Sequence, residues 1–368
     1  MQVTCKKQNL LGSLDVVERI IPSKALLPIT EGVLIEAEND KLTFTTTNTE
    51  VTIQAEGIKA DIWEEGAIVL PPRFISLVKH FQQEILQIEM GQQVDEKKHR
   101  INVVSGEAKY HFNGIDPADF PRPQHDEKQK WHQIAIPTKQ LKDILRKTLF
   151  AVAHGEGTPA VFKGLLVEAD GQKIHFVGSD TYRLANAYTP LEEAPVVRSV
   201  IPAKSLEELN RIIGDDDGNV TFYFSSNQCR FIYKQFTITT LVYAGDYPDF
   251  TRIFPDEYNT KLKVKRDPLE QALARALLMT FKDNTVVISL KDNKLLLKAA
   301  SEMGGGSEVV PLEERNGDDL EIRLNGRLLM DPLRALTEKE IHMNFTGSLG
   351  PCVINHPQYT YLLLPIKK

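Results

Sequence analysis

The sequence predicts an α+β protein made of three repeated domains, each an antiparallel sheet with two helices on one face. Three observations support this fold class. A strand hairpin occurs three times, a pair of amphipathic helices accompanies each hairpin, and the repeat distance of about 120 to 132 residues is the size of a domain. With 368 residues, the chain is long enough for three such domains.

The hairpin is clearest at residues 164–187, where alternating apolar residues lie on both sides of the pair Asp170-Gly171. An Asp-Gly pair suits the positive φ angles of a two-residue hairpin turn, so a strand is predicted on each side of it. The same pattern occurs at residues 32–54 and, more weakly, at 285–304. Three copies of one hairpin in one chain indicate an internal repeat.

Six helices are predicted from apolar residues that recur at spacings of three and four. One helix precedes each hairpin and one follows it. Thr138 and Asp267 are predicted N-caps, and Pro268 suits a first helical position. The six predicted windows are 9–20, 71–81, 138–150, 203–213, 267–280 and 325–336.

The domain boundaries are predicted to lie near two proline-rich stretches, at about residues 122–130 and 251–262. In each predicted domain the elements then follow in the order strand, helix, strands, helix, strands. The predicted domains are 1–125, 126–252 and 253–368.

The composition, 42% apolar and 26% charged, is typical of a globular protein in water. No early segment resembles a secretory signal, and no apolar run approaches the roughly 20 residues that span a bilayer. Cys5, Cys229 and Cys352 are far apart in sequence, which favours reduced thiols. We therefore expect a cytoplasmic protein with no membrane partner.

The net charge of −6 excludes a global positive field that would draw the chain to nucleic acid. The charge is unevenly distributed, however. The six helix windows contain 12 Lys/Arg and 8 Asp/Glu, whereas the rest of the chain contains 32 and 42. Helix surfaces that simply face solvent would give similar counts. If the helices instead share one concave surface, that surface would attract phosphates without reading bases.

No catalytic constellation is apparent. Asp215-Asp216-Asp217-Gly218-Asn219 resembles a calcium loop, but its twelfth position is Ser226, so a hairpin loop is predicted. Gly304-Gly305-Gly306 lacks the Gly-Lys-Ser/Thr of a phosphate loop, so a flexible loop is predicted. We expect no metal, no cofactor and no enzymatic activity. The alternative is a metal-dependent phosphoester hydrolase that uses Asp215 to Asp217 with His154, which shares a glycine-rich turn with Glu156.

Several motifs resemble those of one family. They are SDTYRLA at 179–185, GDYPDFTRIFP at 245–255 and LLLPIKK at 362–368, together with LPI at 27–29, GIDPADFP at 114–121 and MDPLRAL at 330–336. Over essentially its whole length the chain resembles the bacterial DNA polymerase III beta subunit, the sliding-clamp family. The resemblance implies two chains closed head to tail into a ring around duplex DNA (the DNA clamp fold). It also implies that polymerases, a clamp loader and repair proteins dock through a short motif of the Gln-x-x-Leu-Phe type.

The resemblance implies a peptide pocket between the second and third domains. Its expected lining is Phe162, Ser179, Thr181, Tyr182, Arg183, Leu184, Pro248, Arg252, Ile253, Leu349, Pro351, Leu362, Leu363, Leu364, Pro365 and Ile366. Thr181 and Tyr182 depart from the family, which has a smaller residue and often histidine there. Two alternatives stay open: Leu362 and Leu364 belong to a buried final strand, and Arg183 either orients a ligand or pairs within the fold.

The resemblance also implies an interface between subunits and a surface that faces DNA. Tyr110 and Phe112, on an edge strand, would meet Leu277 and Leu278 of the other subunit, although both leucines could be ordinary core residues. The residues expected to face DNA are Lys24, Arg73, Lys79, Lys139, Lys142, Arg146, Lys147, Lys204, Arg211, Arg275, Arg327 and Arg334.

Overall fold

The structure, a computed structural model, describes residues 1–123, 130–292 and 294–367. All six predicted helices are present. They are α1 (Lys7–Val17), α2 (Arg73–His80), α3 (Thr138–Thr148), α4 (Ala203–Ile212), α5 (Arg266–Leu277) and α6 (Gly326–Ala335). Among the described residues, none of these helices has both the length and the apolar character needed to cross a bilayer.

The predicted helix caps are wrong. Thr138 is already the first residue of α3, and its hydroxyl donates a hydrogen bond to the Gly218 carbonyl at 2.6 Å. Helix α5 begins at Arg266 with Lys265 as its N-cap residue, so Asp267 and Pro268 already lie inside the first turn. The first turn tolerates proline because its N–H groups have no partner within the helix.

The strands, numbered in chain order, form two antiparallel sheets. The first sheet has the order β10 (His132–Pro137), β15 (Asn219–Phe224), β16 (Gln228–Tyr233), β17 (Phe236–Leu241), β4 (Val51–Lys59), β3 (Lys41–Thr47), β2 (Val33–Glu38), β6 (Gly66–Leu70), β9 (Ala108–Ile115), β8 (Lys98–Ser105), β7 (Ile85–Asp95), β1 (Gln2–Lys6), β5 (Asp61–Glu64). The second has the order β14 (Val197–Pro202), β11 (Gly164–Ala169), β12 (Lys173–Ser179), β13 (Arg183–Pro190), β25 (Tyr359–Leu363), β24 (Cys352–His356), β23 (Glu340–Phe345), β18 (Thr260–Lys265), β21 (Gly304–Gly317), β20 (Lys294–Ser301), β19 (Thr285–Lys291), β22 (Leu320–Asn325).

The described chain forms two structural units, and each contains one of these sheets. The first unit combines Met1–Thr138 with Glu208–Val242, and the second combines Lys139–Glu207 with Tyr243–Lys368. The strands of the predicted central domain are therefore divided between the two sheets. β17 pairs with β4 and β13 pairs with β25, so each sheet continues across a predicted domain boundary. The boundary predicted at 125 lies outside the described residues, and it and the boundary at 252 stay predictions.

The three hairpins are confirmed as β2–β3, β11–β12 and β19–β20. In the second hairpin the central turn residues are Gly171 and Gln172, one position later than predicted. The Asp170 N–H bonds to the Lys173 carbonyl at 3.2 Å, and Gly171 has a φ of 101°. Glycine is required there because this φ is costly for other residues.

The repeat extends to single hydrogen bonds in the turn that follows each of the first two hairpins. Asn48 Oδ1 accepts from the Glu50 and Val51 N–H groups at 3.1 and 2.8 Å. Asp180 Oδ1 accepts from the Tyr182 and Arg183 N–H groups, both at 3.0 Å. In both turns the next residue is a threonine in the left-handed region, Thr49 (φ 75°) and Thr181 (φ 76°). The two turns are therefore copies of one structure.

Replacing either left-handed threonine by glycine should stabilise the protein. A β-branched residue in this region costs roughly 1–2 kcal/mol, and the entropy lost by glycine offsets part of that. We expect Thr49→Gly and Thr181→Gly each to raise the free energy of unfolding by about 0.5–1 kcal/mol, measured by urea titration. Thr52→Gly, the same change within strand β4, should lower it. A loss of stability in both turn variants would contradict this account.

Two of the segments considered for chemistry have different structures from those predicted. Gly304-Gly305-Gly306 is not a flexible loop but the start of β21, paired with Ser301, Ala300 and Ala299. A Cβ at Gly305 would lie 3.0 Å from the Ala299 carbonyl oxygen, so glycine permits this close approach.

Asp215 to Asp217 lie in the connection between α4 and β15, not in a hairpin loop. The Asp216 carboxylate is held by Lys234 Nζ at 2.5 Å and by the Tyr233 hydroxyl at 2.7 Å, and these bonds lower its pKa. His154 and Glu156 are both exposed. Within the described ranges, no three His, Cys, Asp or Glu side chains are placed to hold a metal ion.

Candidate functional site

A cavity of about 170 Å³ lies within the second unit, at the end of β13 and β25. Ten of the residues expected to form the peptide pocket line it, and so do two others. The lining is Phe162, Ser179, Thr181, Tyr182, Arg183, Leu184, Tyr247, Pro248, Phe250, Ile253, Leu362 and Leu364. The fold thus brings together four separate segments of the sequence.

The floor of the cavity is part of a hydrophobic core cluster. Leu184, Tyr247 and Phe250 are buried members of that cluster, and Phe162 packs against it. The Phe162 and Tyr247 rings lie 5.6 Å apart between centroids. An apolar floor of this kind accepts an apolar side chain, because such a side chain leaves water without losing hydrogen bonds.

Tyr247 and Phe250 were missed by the sequence analysis, which took only Pro248, Arg252 and Ile253 from the motif at 245–255. The missed signal was two aromatic residues at a spacing of three around a proline. Both side chains are buried. Such residues are typical of a core, and only the fold shows that this part of the core opens to the surface.

Six of the expected lining residues lie outside the cavity. Leu363 is buried on the opposite face of β25 from Leu362, because successive side chains of a strand alternate. The exposed Arg252 pairs with Asp249 at 2.9 Å. The remaining four lie in the connection before β24 and in the tail after β25; they are Leu349, Pro351, Pro365 and Ile366.

Of the two alternatives for Arg183, the structure favours pairing within the fold. Its side chain is 8% exposed and bonds to Asp180, Asp331 and the Phe150 carbonyl. Arg183 therefore lines the cavity with a guanidinium whose three nitrogens each donate a hydrogen bond within the fold. Leu362 is a buried strand residue, as the other alternative proposed, but Leu364 is 42% exposed at the mouth.

The mouth of the cavity is formed by exposed side chains of both polar and apolar type. Tyr182 is 67% exposed, and Thr181 and Ile253 are also exposed. The Leu364 N–H donates to the Tyr182 carbonyl at 3.0 Å, which joins two walls of the mouth. The cavity is therefore open and apolar, with hydroxyl groups at its mouth. It is suited to bind an apolar side chain of a peptide.

His175 supports the floor from below and should make stability depend on pH. Its ring lies 5.6 Å from that of Phe250, and Nδ1 is 2.9 Å from Asn186 Oδ1. Burial lowers the pKa of His175 below its ordinary value of 6.5. As pH falls through about 6.5, the unfolded chain takes up a proton that the folded chain does not, so unfolding becomes easier. His175→Gln should reduce this slope between pH 8 and 5.5 in urea titrations. An unchanged slope would mean that other groups cause it.

Comparison with known proteins shows which family the chain belongs to. Models of the DNA polymerase III beta subunit match in order, with the N-terminal domain at residues 1–125, the central domain at 135–249 and the C-terminal domain at 251–367. A protein of Bacillus subtilis named beta sliding clamp is 30% identical over 385 residues, which covers all of both chains. The chain is a member of the DNA polymerase III beta subunit family.

Other relatives agree with this assignment. A beta sliding clamp of Staphylococcus epidermidis is 28% identical over 382 residues, covering 100% of this chain and 99% of the relative. The crystal structure of the Bacillus subtilis DNA polymerase sliding clamp superimposes with a TM-score of 0.93 at 28% identity, over 100% of this chain and 99% of that one. The sliding-clamp family consists of processivity factors that have no catalytic activity of their own.

In this sliding-clamp family member, Tyr110 and Phe112 lie on a strand with one open side. β9 pairs with β8 along its length, but with β6 only at Val69 and Ile115. Among the described strands, none pairs with the other side of residues 108–114. The Tyr110 and Phe112 rings make edge contacts with Phe81 and Phe74, at 5.8 and 6.1 Å.

Leu277 is the last residue of α5 and Leu278 is its C-cap; their side chains differ in exposure. Leu277 is half-buried, whereas Leu278 is 78% exposed, which is not a core position. Three more apolar side chains, which were not predicted as part of this surface, are exposed nearby in sequence. Phe281 lies shortly after α5, Met303 lies just before β21, and Val309 lies on β21. Arg275 of α5 pairs with Glu308 of β21 at 2.7 Å, so the helix and the strand are neighbours.

The basic residues expected to face DNA differ in their burial and in whether they form ion pairs. Lys147 is wrongly assigned, because it is buried, pairs with Asp143 at 2.7 Å and lies over the Tyr359 ring. Five others are in ion pairs; they are Lys79, Arg146, Arg211, Arg275 and Arg334. Lys139 is exposed and Lys142 half-buried on α3. Exposed and without an ion pair in the described part of the chain are Lys24, Arg73, Lys204 and Arg327.

Proposed function

We propose that two copies of this chain close head to tail into a cytoplasmic ring around duplex DNA, and that the ring tethers DNA polymerases, a clamp loader and repair proteins. Each chain would contribute three domains, at 1–125, 126–252 and 253–368. The observation that carries the proposal is the open apolar cavity at Leu184 and Leu364, in a chain that matches the sliding-clamp family from end to end.

Ring closure would use two strand edges. Residues 108–114 of β9 have one open side, and residues 304–311 of β21 pair with β20 alone among the described strands. Joining them between subunits would extend one sheet into the next and cover Tyr110, Phe112 and Leu278. A contact between two different surfaces of the same chain must close on itself or polymerise, and two such contacts close a dimer.

The bound DNA would be held by topology more than by affinity. The chain has a net charge of −6, and few of its predicted DNA-facing cations are without a carboxylate partner. Lys24, Arg73, Lys204 and Arg327 would therefore supply a weak attraction to phosphates that is independent of sequence. Weak contacts suit a ring that must move along DNA while it keeps a polymerase at high local concentration.

The test is retention on DNA of different shapes. After loading onto nicked circular DNA by a clamp loader, the ring should stay bound through gel filtration at moderate salt. Linearising the circle with a restriction enzyme should release it within minutes. Blocking both ends of the linear DNA with bound protein should restore retention. Equal retention on circular and open linear DNA would indicate ordinary electrostatic binding and would contradict the proposal.

A further inference from the structure

The guanidinium of Arg183 is the most densely bonded group at the cavity. Nε donates to Asp180 Oδ2 at 3.0 Å, Nη1 donates to Asp331, and Nη2 donates to the Phe150 carbonyl at 2.5 Å. The group also lies over the Phe150 ring, 5.4 Å from its centroid. Every nitrogen of the side chain is therefore engaged within the fold.

Asp331 differs from Asp180, the other carboxylate partner, because it is remote in sequence. It lies on α6, and its side chain is about one-third exposed. Asp180, in contrast, belongs to the same turn as Arg183. The bond to Asp331 is thus the only carboxylate link, among the described residues, between this turn and a separate helix.

The turn held in this way forms the mouth of the cavity. It presents Thr181 and Tyr182, and the Tyr182 carbonyl accepts the Leu364 N–H at 3.0 Å. Thr181 has a φ of 76°, a conformation that a β-branched residue leaves readily when it is not held. Loss of the bond between Arg183 and Asp331 would release both the turn and the adjacent wall of the cavity at Leu364.

We infer that Asp331 is a positioning residue for the peptide pocket: through Arg183, it holds the turn at 179–183 in the shape that receives a ligand. The inference rests on the proposed function of the cavity. Without Asp331, a guanidinium that is 8% exposed keeps a single carboxylate partner. The buried Nη1 group then has lost its acceptor, so the side chain moves either toward water or toward the remaining partner, and both movements displace the turn.

The experiment measures the affinity of the full chain for a fluorescent peptide with a Gln-x-x-Leu-Phe motif by anisotropy. Asp331→Ala should weaken binding about tenfold, and Asp331→Glu should recover part of the loss. In an Arg183→Met background, Asp331→Ala should have no further effect, because the carboxylate acts through the guanidinium. Asp331→Asn, which keeps the size of the side chain, provides the same comparison if the alanine variant folds poorly.

Asp143→Ala is the matched control. Asp143 also holds two cations, Arg146 and Lys147, in the same unit, but it does not line the cavity. It should lower the melting temperature without changing peptide affinity. Wild-type affinity in Asp331→Ala, or the same loss with Arg183 present and absent, would overturn the inference alone. A wild-type chain that does not bind the peptide would overturn the proposed function and this inference with it.

Discussion

Leu278→Asp is expected to convert the proposed ring into monomers. Leu278 is 78% exposed in the single chain and lies at the end of α5, the helix whose Arg275 pairs with Glu308 on the open edge of β21. If β9 of a second copy covers this edge, the new carboxylate is buried against Tyr110 and Phe112 without a partner. Burying an unpaired charge costs several kcal/mol, so the dissociation constant of the dimer should rise at least about 100-fold. Sedimentation velocity at micromolar concentration measures the change.

Val196→Asp provides a control with the same chemistry. Val196 is 76% exposed in the same unit, in the connection between β13 and β14, and is outside the proposed interface. It should leave the dimer intact. Tyr110→Asp, on the opposite side of the interface, should act like Leu278→Asp. A dimer that survives both interface substitutions would place the contact elsewhere on the chain.

The repeat, the six helices and the three hairpins were predictable because each depends on local periodicity. The pairing of β17 with β4 and of β13 with β25 was not, since pairing between distant strands leaves no periodic signal in sequence. The same limit explains Lys147. Its place on the helix, four residues after its partner Asp143, fits a solvated charge, but the fold brings the ring of the distant Tyr359 against it.

The candidate pocket was partly predictable, through the motifs that carry the family resemblance. Alternation along β25 separates Leu362 from Leu363, and the resemblance named both because a motif does not record which face a residue occupies. The roles of Tyr247 and Phe250 depend on a gap in the core. A gap is a property of packing and not of any residue, so no pattern in the sequence reports it.

The second large effect is expected from Leu364→Asp, which should weaken binding of a Gln-x-x-Leu-Phe peptide about 30-fold to 100-fold. Leu364 is part of the mouth and is 42% exposed, so the substitution spares the core. A carboxylate there would be desolvated by the apolar anchor of the peptide, since the guanidinium of Arg183 is already engaged. Isothermal titration measures the affinity.

Leu349→Asp separates this effect from a general effect of added negative charge. Leu349 was also expected in the pocket, but it is 78% exposed and does not line the cavity. Its substitution should leave the affinity within about twofold of the wild type. Ile253→Asp, on another wall of the cavity, should reproduce the loss seen with Leu364→Asp. If instead Leu349→Asp abolishes binding and the other two do not, the peptide binds on the surface near β24 and not in this cavity, because only residues that enclose the anchor are desolvated when it binds.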